Sequence, residues 1–144
     1  MPAHQPLPHV LLVDDHPINL RVVGRMLERE GCRVSYADDG LKAVQQAGES
    51  PDVVLMDCSM PVCDGFEATR RIRALPDPLS RVPIIALTAH ASGADRARCI
   101  GAGMDDWLSK PVAPEVLFQL LQQYTGWGGR VAVLDRQRDR AAAG

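Results

Sequence analysis

The chain has 144 residues, the usual length of one domain and enough to bury a hydrophobic core. Apolar residues make up 46% of it and charged residues 24%, which excludes global disorder, and its longest apolar run is far too short to span a membrane. The formal net charge of −2 gives no indication of a polyanionic partner such as nucleic acid.

The first predicted strand covers residues 9–13, a short apolar run of the kind found in strands that are buried on both faces. It ends abruptly at Asp14 and Asp15. Pro17 suits the first turn of a helix, in which apolar residues recur at helical spacing until Gly31 ends it. The first repeat is therefore a strand, an acidic pair and a helix.

Two further repeats of strand and helix follow in the middle of the chain. Residues 32–36 are predicted to form a strand, and the helix after the Asp39–Gly40 turn is marked by Leu41, Val44 and Ala47. Residues 52–56, which are apolar from Val53 onward, are predicted to form a further strand, which again ends on an acid, Asp57. After a loop that reaches Gly65, a third helix is marked by Phe66, Thr69, Ile72 and Arg73.

The last two repeats complete the pattern. Residues 82–87 are predicted to form a strand that runs directly into Thr88, and a helix over about residues 93–100 follows it. Residues 106–109 form a short fifth strand before Lys110 and Pro111. The final helix has Pro114 near its first turn and is marked by Val116, Leu117, Leu120 and Leu121.

Strands that alternate with helices in this way predict an α/β fold, a doubly wound five-stranded parallel sheet with right-handed crossovers. In such a sheet the functional edge lies at the carboxyl ends of the strands, where the strand order switches. Five polar residues lie at or just past such strand ends: Asp14, Asp15, Asp57, Thr88 and Lys110. We therefore expect them to converge on one edge of the sheet.

This combination of side chains indicates phosphoryl chemistry. Converging carboxylates stay ionised together only when a cation neutralises them, and an all-oxygen site with room for water suits Mg²⁺. A carboxylate can also attack phosphorus and form an aspartyl phosphate. Lys110 and Thr88 would stabilise the charge on the transferring phosphoryl group. We interpret Asp57 as the phosphoacceptor, beside a magnesium ion held with Asp14 and Asp15.

Each of these residues has an ordinary structural explanation when it is taken alone. Asp14 or Asp15 could cap the helix that starts near Pro17, Thr88 could be an ordinary strand-end residue, and Lys110 could be a solvated cation. The functional interpretation is favoured because acids, hydroxyl and cation all occupy the same edge. No helix is predicted to begin directly behind Asp57 either.

The motifs are similar to those of a known family. Over about residues 9–124 the chain resembles the receiver domain of two-component response regulators. The matching stretches are Leu12-Val13-Asp14-Asp15, Met56-Asp57-Cys58-Ser59-Met60-Pro61, Asp64-Gly65, Ala86-Leu87-Thr88-Ala89 and Ser109-Lys110-Pro111. Asn19, the string at 64–69 and the string at 103–106 resemble the receiver modules of hybrid sensor histidine kinases.

The resemblance implies a flavodoxin-like (βα)5 fold with strand order 2-1-3-4-5. It implies a signalling domain of a phosphorelay and not a conventional enzyme, although such a domain catalyses its own phosphotransfer and autodephosphorylation. Asp57 would accept a phosphoryl group from a histidine kinase or a His-containing phosphotransfer domain. The domain would then switch conformation and control a partner or a linked domain, with a phosphorylation-dependent dimer among the expectations.

The resemblance also implies a role for each site residue. Asp15, Asp57 and the main-chain carbonyl of Ser59 would bind Mg²⁺ directly, and Asp14 would act largely through water. Thr88 and Lys110 would bind the phosphoryl oxygens. The peptide bond between Lys110 and Pro111 would be cis, as X-Pro bonds in tight turns can be.

Several positions depart from the usual family pattern. Trp107 stands where the family has Tyr or Phe as a rotameric switch, and its indole either packs structurally or restricts the usual inward swing. His90 and Ser59 flank the path of an attacking water, so we expect them to tune how long the phosphate lasts. His16 is interpreted as a solvated loop histidine and Cys63 as a packing variant.

Three other functions stay open. A Mg²⁺-dependent phosphatase with an Asp nucleophile would need Asp-x-Asp after the first strand and a cap domain. A nucleotide- or flavin-binding module would need a Gly-rich loop after the first strand. A degenerate receiver, used only as a binding scaffold, would lack some of the five site residues.

The chain is predicted to divide into a flexible leader at 1–8, the receiver domain at 9–124 and a tail or linker at 125–144. Because no signal peptide is recognised, we expect a cytoplasmic domain, whose parent protein could be membrane-anchored, with no contact of its own to membrane or nucleic acid. Reduced thiols are expected at four scattered cysteines: Cys32, Cys58, Cys63 and Cys99.

Overall fold

A five-stranded parallel sheet, covered by helices on both faces, forms the centre of the molecule. The computed structural model describes residues 7–60, 63–89 and 92–126. Its elements are β1 (His9–Val13), α1 (Pro17–Arg29), β2 (Arg33–Ala37), α2 (Gly40–Ala47), β3 (Val53–Asp57), α3 (Gly65–Arg73), a short 3₁₀ helix (Leu79–Arg81), β4 (Ile84–Thr88), α4 (Gly93–Ala102), β5 (Asp106–Ser109) and α5 (Pro114–Thr125). The strand order β2-β1-β3-β4-β5 confirms the predicted fold and topology.

Three strands, β2, β3 and β4, begin one or two residues later than the sequence indicates, and in β2 and β4 neighbouring groups engage the first predicted residues. The N–H of Cys32 donates to the carbonyl of Leu27 at 3.0 Å and so closes the end of α1. The carbonyl of Val82 accepts a hydrogen bond from Arg73 Nη1 at 2.6 Å, beside the unpredicted 3₁₀ helix. Both residues therefore lie just outside the ladders that they were expected to join.

Apolar layers on the two faces of the sheet supply the core. All five residues of β1 and all five of β3 are buried, as expected for strands covered on both faces. Full burial of one Leu or Val side chain contributes roughly 1.5–3 kcal/mol, so these central strands hold the sheet firmly. The edge strand β2 is more exposed, and of its five residues only Ala37 is buried.

The register of the sheet brings four strand ends level at one edge. The last paired positions are Val13 with Met56, Asp57 with Leu87, and Thr88 with Ser109. Because the strands are all parallel, this edge carries the residues that follow each strand. The predicted convergence of the five polar residues follows from this register.

Several expectations concern the rest of the chain. All four cysteines are buried and free, in agreement with the expected thiols. None of the helices in the described ranges is long and apolar enough to cross a membrane. Residues 1–6 of the predicted leader and 127–144 of the predicted tail lie outside the described residues, so the domain boundaries stay predictions.

Candidate functional site

An acidic cluster lies at the carboxyl edge of the sheet. Asp14, Asp15 and Asp57 each offer an oxygen atom that lies within 4.8 Å of the others. Asp14 and Asp57 are buried, with 1% and 4% of their surface exposed, whereas Asp15 is half-buried. The cluster is therefore open to a ligand mainly on the side of Asp15.

The Lys110 side chain reaches into this cluster. Its Nζ lies 3.1 Å from Asp14 Oδ2 and 3.1 Å from Asp57 Oδ1. The N–H of Lys110 donates to the carbonyl of Thr88 at 2.9 Å, which fixes the end of β5 against β4. The peptide bond from Lys110 to Pro111 is cis, as the resemblance implies. The structure thus brings the predicted lysine to the predicted acids.

Burial and charge set the ionisation of the site. Burial raises the pKa of Asp57 to about 6, although hydrogen bonds from Lys110 and the Ser59 N–H favour the carboxylate. Burial also disfavours the ammonium of Lys110, but its hydrogen bonds to Asp57 and Asp14 outweigh this effect and leave its pKa raised. One lysine charge faces three carboxylates, so a divalent cation would stabilise the ionised cluster.

The aspartates are not used as helix caps. The N-cap of α1 is His16, whose side chain makes no capping hydrogen bond. Asp14 Oδ1 accepts from the N–H of His16 at 2.9 Å, and that contact orients the carboxylate within the loop after β1. The capping explanation offered for Asp14 and Asp15 is therefore wrong, and each of the two carboxylates offers an oxygen to the cluster.

A close backbone approach shapes the loop behind Asp57. The N–H of Gly65 donates to the carbonyl of Cys58 at 3.3 Å, and a Cβ at Gly65 would lie 2.2 Å from the carbonyl oxygen of Asp57. The Ser59 N–H donates to Asp57 Oδ1 at 3.2 Å. Burial raises the pKa of the Cys58 thiol to about 12, so this neighbour is an inert packing group.

The remaining predicted positions are distributed around the cluster. Thr88 is half-buried at the end of β4, Ser59 is exposed, and His16 is exposed as interpreted. Cys63 is buried and packs in the core. His90 and Pro61 lie outside the described residues.

Trp107 is half-buried and packs against the apolar layer under α4. The guanidinium of Arg96 lies 4.6 Å from the centroid of its ring. Trp107 is recognisable from the sequence but Arg96 is not, because nothing in the local sequence pairs a helix residue with an indole eleven positions later. The contact of Arg96 with the Trp107 ring is therefore visible only in the folded structure.

The donor set fits a hard divalent cation. Carboxylate oxygens at this spacing are the ligands that Mg²⁺ prefers, and water completes the coordination of that ion. Such an ion would supply positive charge for the carboxylates and for phosphoryl oxygens. Asp14, Asp15 and Asp57 are the side chains that would hold it.

The comparisons with known proteins decide the family. The model of the response regulator receiver domain matches residues 10–122. The chain belongs to the receiver domain family. Among curated relatives, the signal transduction histidine-protein kinase BarA of Escherichia coli is 41% identical over 121 residues, which are 83% of this chain and 13% of BarA. The receiver domain thus spans a small part of the length of that relative.

Solved receiver structures agree with this assignment. The receiver domain of the sensor histidine kinase PA1611 from Pseudomonas aeruginosa has 46% identity and a TM-score of 0.77, covers 84% of this chain and 99% of that one, and contains magnesium in its active-site cleft. A second match is a chain in the Saccharomyces cerevisiae co-crystal of the phosphotransfer protein Ypd1 with the Ssk1 receiver domain. It has 29% identity and a TM-score of 0.76, and the match covers 85% of this chain and 91% of that one. The resemblance to receivers of hybrid sensor kinases is confirmed.

Proposed function

We propose that this receiver domain takes a phosphoryl group on Asp57 from a phosphohistidine donor, with the assistance of Mg²⁺. The observation that carries the proposal is the position of Asp57, buried within the acidic cluster and 3.1 Å from Lys110 Nζ. A buried carboxylate beside a protein cation and a candidate metal site is suited to nucleophilic attack on phosphorus.

We assign different roles to the two oxygens of Asp57 because their contacts differ. Lys110 and the Ser59 N–H both contact Oδ1, so we assign the attack on phosphorus to Oδ2. The new bond forms between Oδ2 and phosphorus while the bond between phosphorus and the donor's imidazole nitrogen breaks. Lys110 would then bind a phosphoryl oxygen, and Thr88 at the end of β4 would donate its hydroxyl to another.

The acidic pair and the loop after β3 would hold the metal. We assign Asp15, Asp57 and the main-chain carbonyl of Ser59 as direct ligands, with Asp14 acting largely through water. Magnesium in the cleft of the PA1611 receiver domain supports this assignment. Pro111, Trp107, His90 and Ser59 stay predictions as switch or tuning residues.

The proposed partner is a histidine kinase or a His-containing phosphotransfer domain. The relatives that are sensor kinases and the co-crystal of Ypd1 with the Ssk1 receiver domain support it. We further propose that the domain works in the cytoplasm and catalyses its own phosphotransfer and autodephosphorylation. A phosphorylation-dependent dimer stays a prediction.

The test is to incubate the protein with a small-molecule phosphodonor and Mg²⁺ and to measure its intact mass. We expect an adduct of one phosphoryl group that is stable in acid, labile in base and lost in Asp57→Asn. Absence of an adduct on the wild-type chain would leave the domain a degenerate receiver that acts as a binding scaffold. Turnover of a phosphomonoester beyond one equivalent would instead indicate a phosphatase.

A further inference from the structure

Helix α4 is held to the domain by few apolar side chains. Of its residues, Cys99 and Ala102 are buried, and both are small. For comparison, α5 buries Leu117 and Leu121, and α3 buries Phe66 and Ile72 among others. Hydrophobic burial scales with the area removed from water, so these contacts anchor α4 more weakly than the larger side chains anchor α3 and α5.

Two exposed arginines on α4 add contacts on either side of the helix. The guanidinium of Arg96 lies 4.6 Å from the centroid of Trp107 on β5, and that of Arg98 lies 4.1 Å from the centroid of Phe66 on α3. Residues two positions apart project about 200° from one another around a helix axis, so they extend to opposite sides. We call these two arginines with their rings the α4 clamp.

The position of α4 in the chain connects it with the site. The helix lies between β4, which ends at Thr88, and β5, which ends just before Lys110. Trp107 pairs with Ala86 in the sheet, and Thr88 pairs with Ser109 two positions further along both strands. Side chains alternate along strands, so Trp107 and Thr88 point to the same face of the sheet, the face that α4 covers.

We propose that the α4 clamp holds α4 and the Trp107 indole in the described arrangement and thereby opposes the conformational change that phosphorylation induces. The inference rests on the proposed function, since it concerns the response to a phosphoryl group on Asp57. A phosphoryl group that draws Thr88 toward it moves the end of β4. This movement in turn displaces α4 and alters the surroundings of Trp107. Arg96 and Arg98 are positioning residues that set how readily this happens.

The experiment uses the full chain with Trp127→Phe, so that the fluorescence comes from Trp107, the other of the two tryptophans. Beryllofluoride, an analogue of the phosphoryl group, is titrated at saturating Mg²⁺, with its affinity measured by calorimetry and the indole followed by emission. Arg96→Met and Arg98→Met, which keep most of each side-chain stem, are each expected to bind it about two- to fivefold more tightly. Arg96→Lys keeps the cation and is expected to stay close to the parent chain.

A purely structural role would give a different pattern. The clamp predicts that both methionine variants lose resistance to urea while they gain affinity for beryllofluoride, whereas a structural role lowers stability without any gain. Arg29→Met, which changes an exposed arginine on α1, is the matched control and is expected to leave the affinity unchanged. Unchanged or weaker affinity in both α4 variants would contradict the clamp, as would constant Trp107 emission during binding.

The inference and the function on which it rests fail in different ways. If the parent chain binds beryllofluoride and Asp57→Asn does not, the proposed phosphoacceptor stands, and the arginine variants then decide the clamp. If the parent chain binds none, or binds it equally well after Asp57→Asn, both proposals are wrong.

Discussion

The environment of Lys110 is the most informative about the charge balance of the site. Its ammonium contacts Asp14 and Asp57 at equal distances of 3.1 Å and so occupies the negative cluster from one side. A magnesium ion and this lysine are attracted by the same carboxylates, and each weakens the attraction that the other experiences. A bound phosphoryl group would reverse this relation, because it brings enough negative charge for both cations.

We predict that Lys110→Met strengthens Mg²⁺ binding and abolishes a lasting phosphoryl adduct. Removing the competing cation is expected to tighten Mg²⁺ binding about tenfold, which corresponds to about 1.4 kcal/mol. Calorimetric titration with MgCl₂ measures the change, and Lys42→Met, whose exposed lysine pairs with Asp38, is the control. Weaker Mg²⁺ binding in Lys110→Met would show that the lysine supports the metal site.

His9 provides a prediction about pH at the opposite end of β1. Burial lowers its pKa below the ordinary value of 6.5, and its Nε2 lies 2.6 Å from Ser35 Oγ. As the pH falls, the unfolded chain therefore takes up this proton before the folded chain does. The contribution of His9 to the free energy of unfolding is complete above pH 6.5 and is lost as the pH falls through the lower pKa of the folded state.

The measurement is urea unfolding of the wild type and His9→Gln between about pH 5 and 8. The difference between the two proteins isolates His9 from the other titrating groups. We expect the advantage of the wild type to shrink toward low pH. A difference that stays constant over this range would contradict the assignment.

At the scale of elements, the loop from β3 to α3 determines where Asp57 is held. The helix α3 begins at Gly65, with Asp64 accepting from the N–H of Glu67 at 2.9 Å as its cap. This cap and the close approach of Gly65 to the Asp57 carbonyl bring the helix against the end of the strand. At the other end of α3, the Arg73 guanidinium donates to the carbonyls of Gly103 and Val82 and so joins α3 to the segment that precedes β4.

We predict that Gly65→Ala destabilises the fold by about 2–3 kcal/mol, because the new methyl group would overlap the Asp57 carbonyl oxygen and force the backbone apart. The displaced acceptor should also be phosphorylated more slowly. Urea unfolding measures the first effect and intact mass over time the second.

Gly93→Ala is the matched control for this substitution. Gly93 also begins a helix, α4, but a Cβ there would meet nothing within 4 Å. Alanine should therefore be neutral or stabilise the protein by up to about 1 kcal/mol. Equal effects of the two substitutions would show that the close approach at Gly65 does not matter.

At the scale of the whole molecule, the parallel sheet explains why distant residues form one site. Asp57 lies 43 positions after Asp14 and 53 before Lys110, yet all three meet because their strands end at one edge. Both faces of the sheet are covered by apolar packing, and at the end opposite to the site Arg73 bonds to the backbone that precedes β4. The domain therefore presents its chemistry on one side only of the described structure.

The sequence predicted the sheet and the site for the same physical reason. Apolar runs without helical spacing identify the buried strands, and polar residues directly after such runs must lie at the functional edge. Contacts between elements could not be predicted from the sequence. The bonds of Arg73, the 3₁₀ helix and the ring contacts of Arg96 and Arg98 depend on how helices pack, and local sequence does not record that.

The most direct test of the account is to identify the phosphorylated residue itself. After reaction with a small phosphodonor and Mg²⁺, borohydride reduces an aspartyl phosphate to homoserine, which peptide mass spectrometry can locate. We expect homoserine at position 57, and none there when Mg²⁺ is chelated before the phosphodonor is added. Homoserine at Asp14 or Asp15, or at no position in the chain, would contradict it.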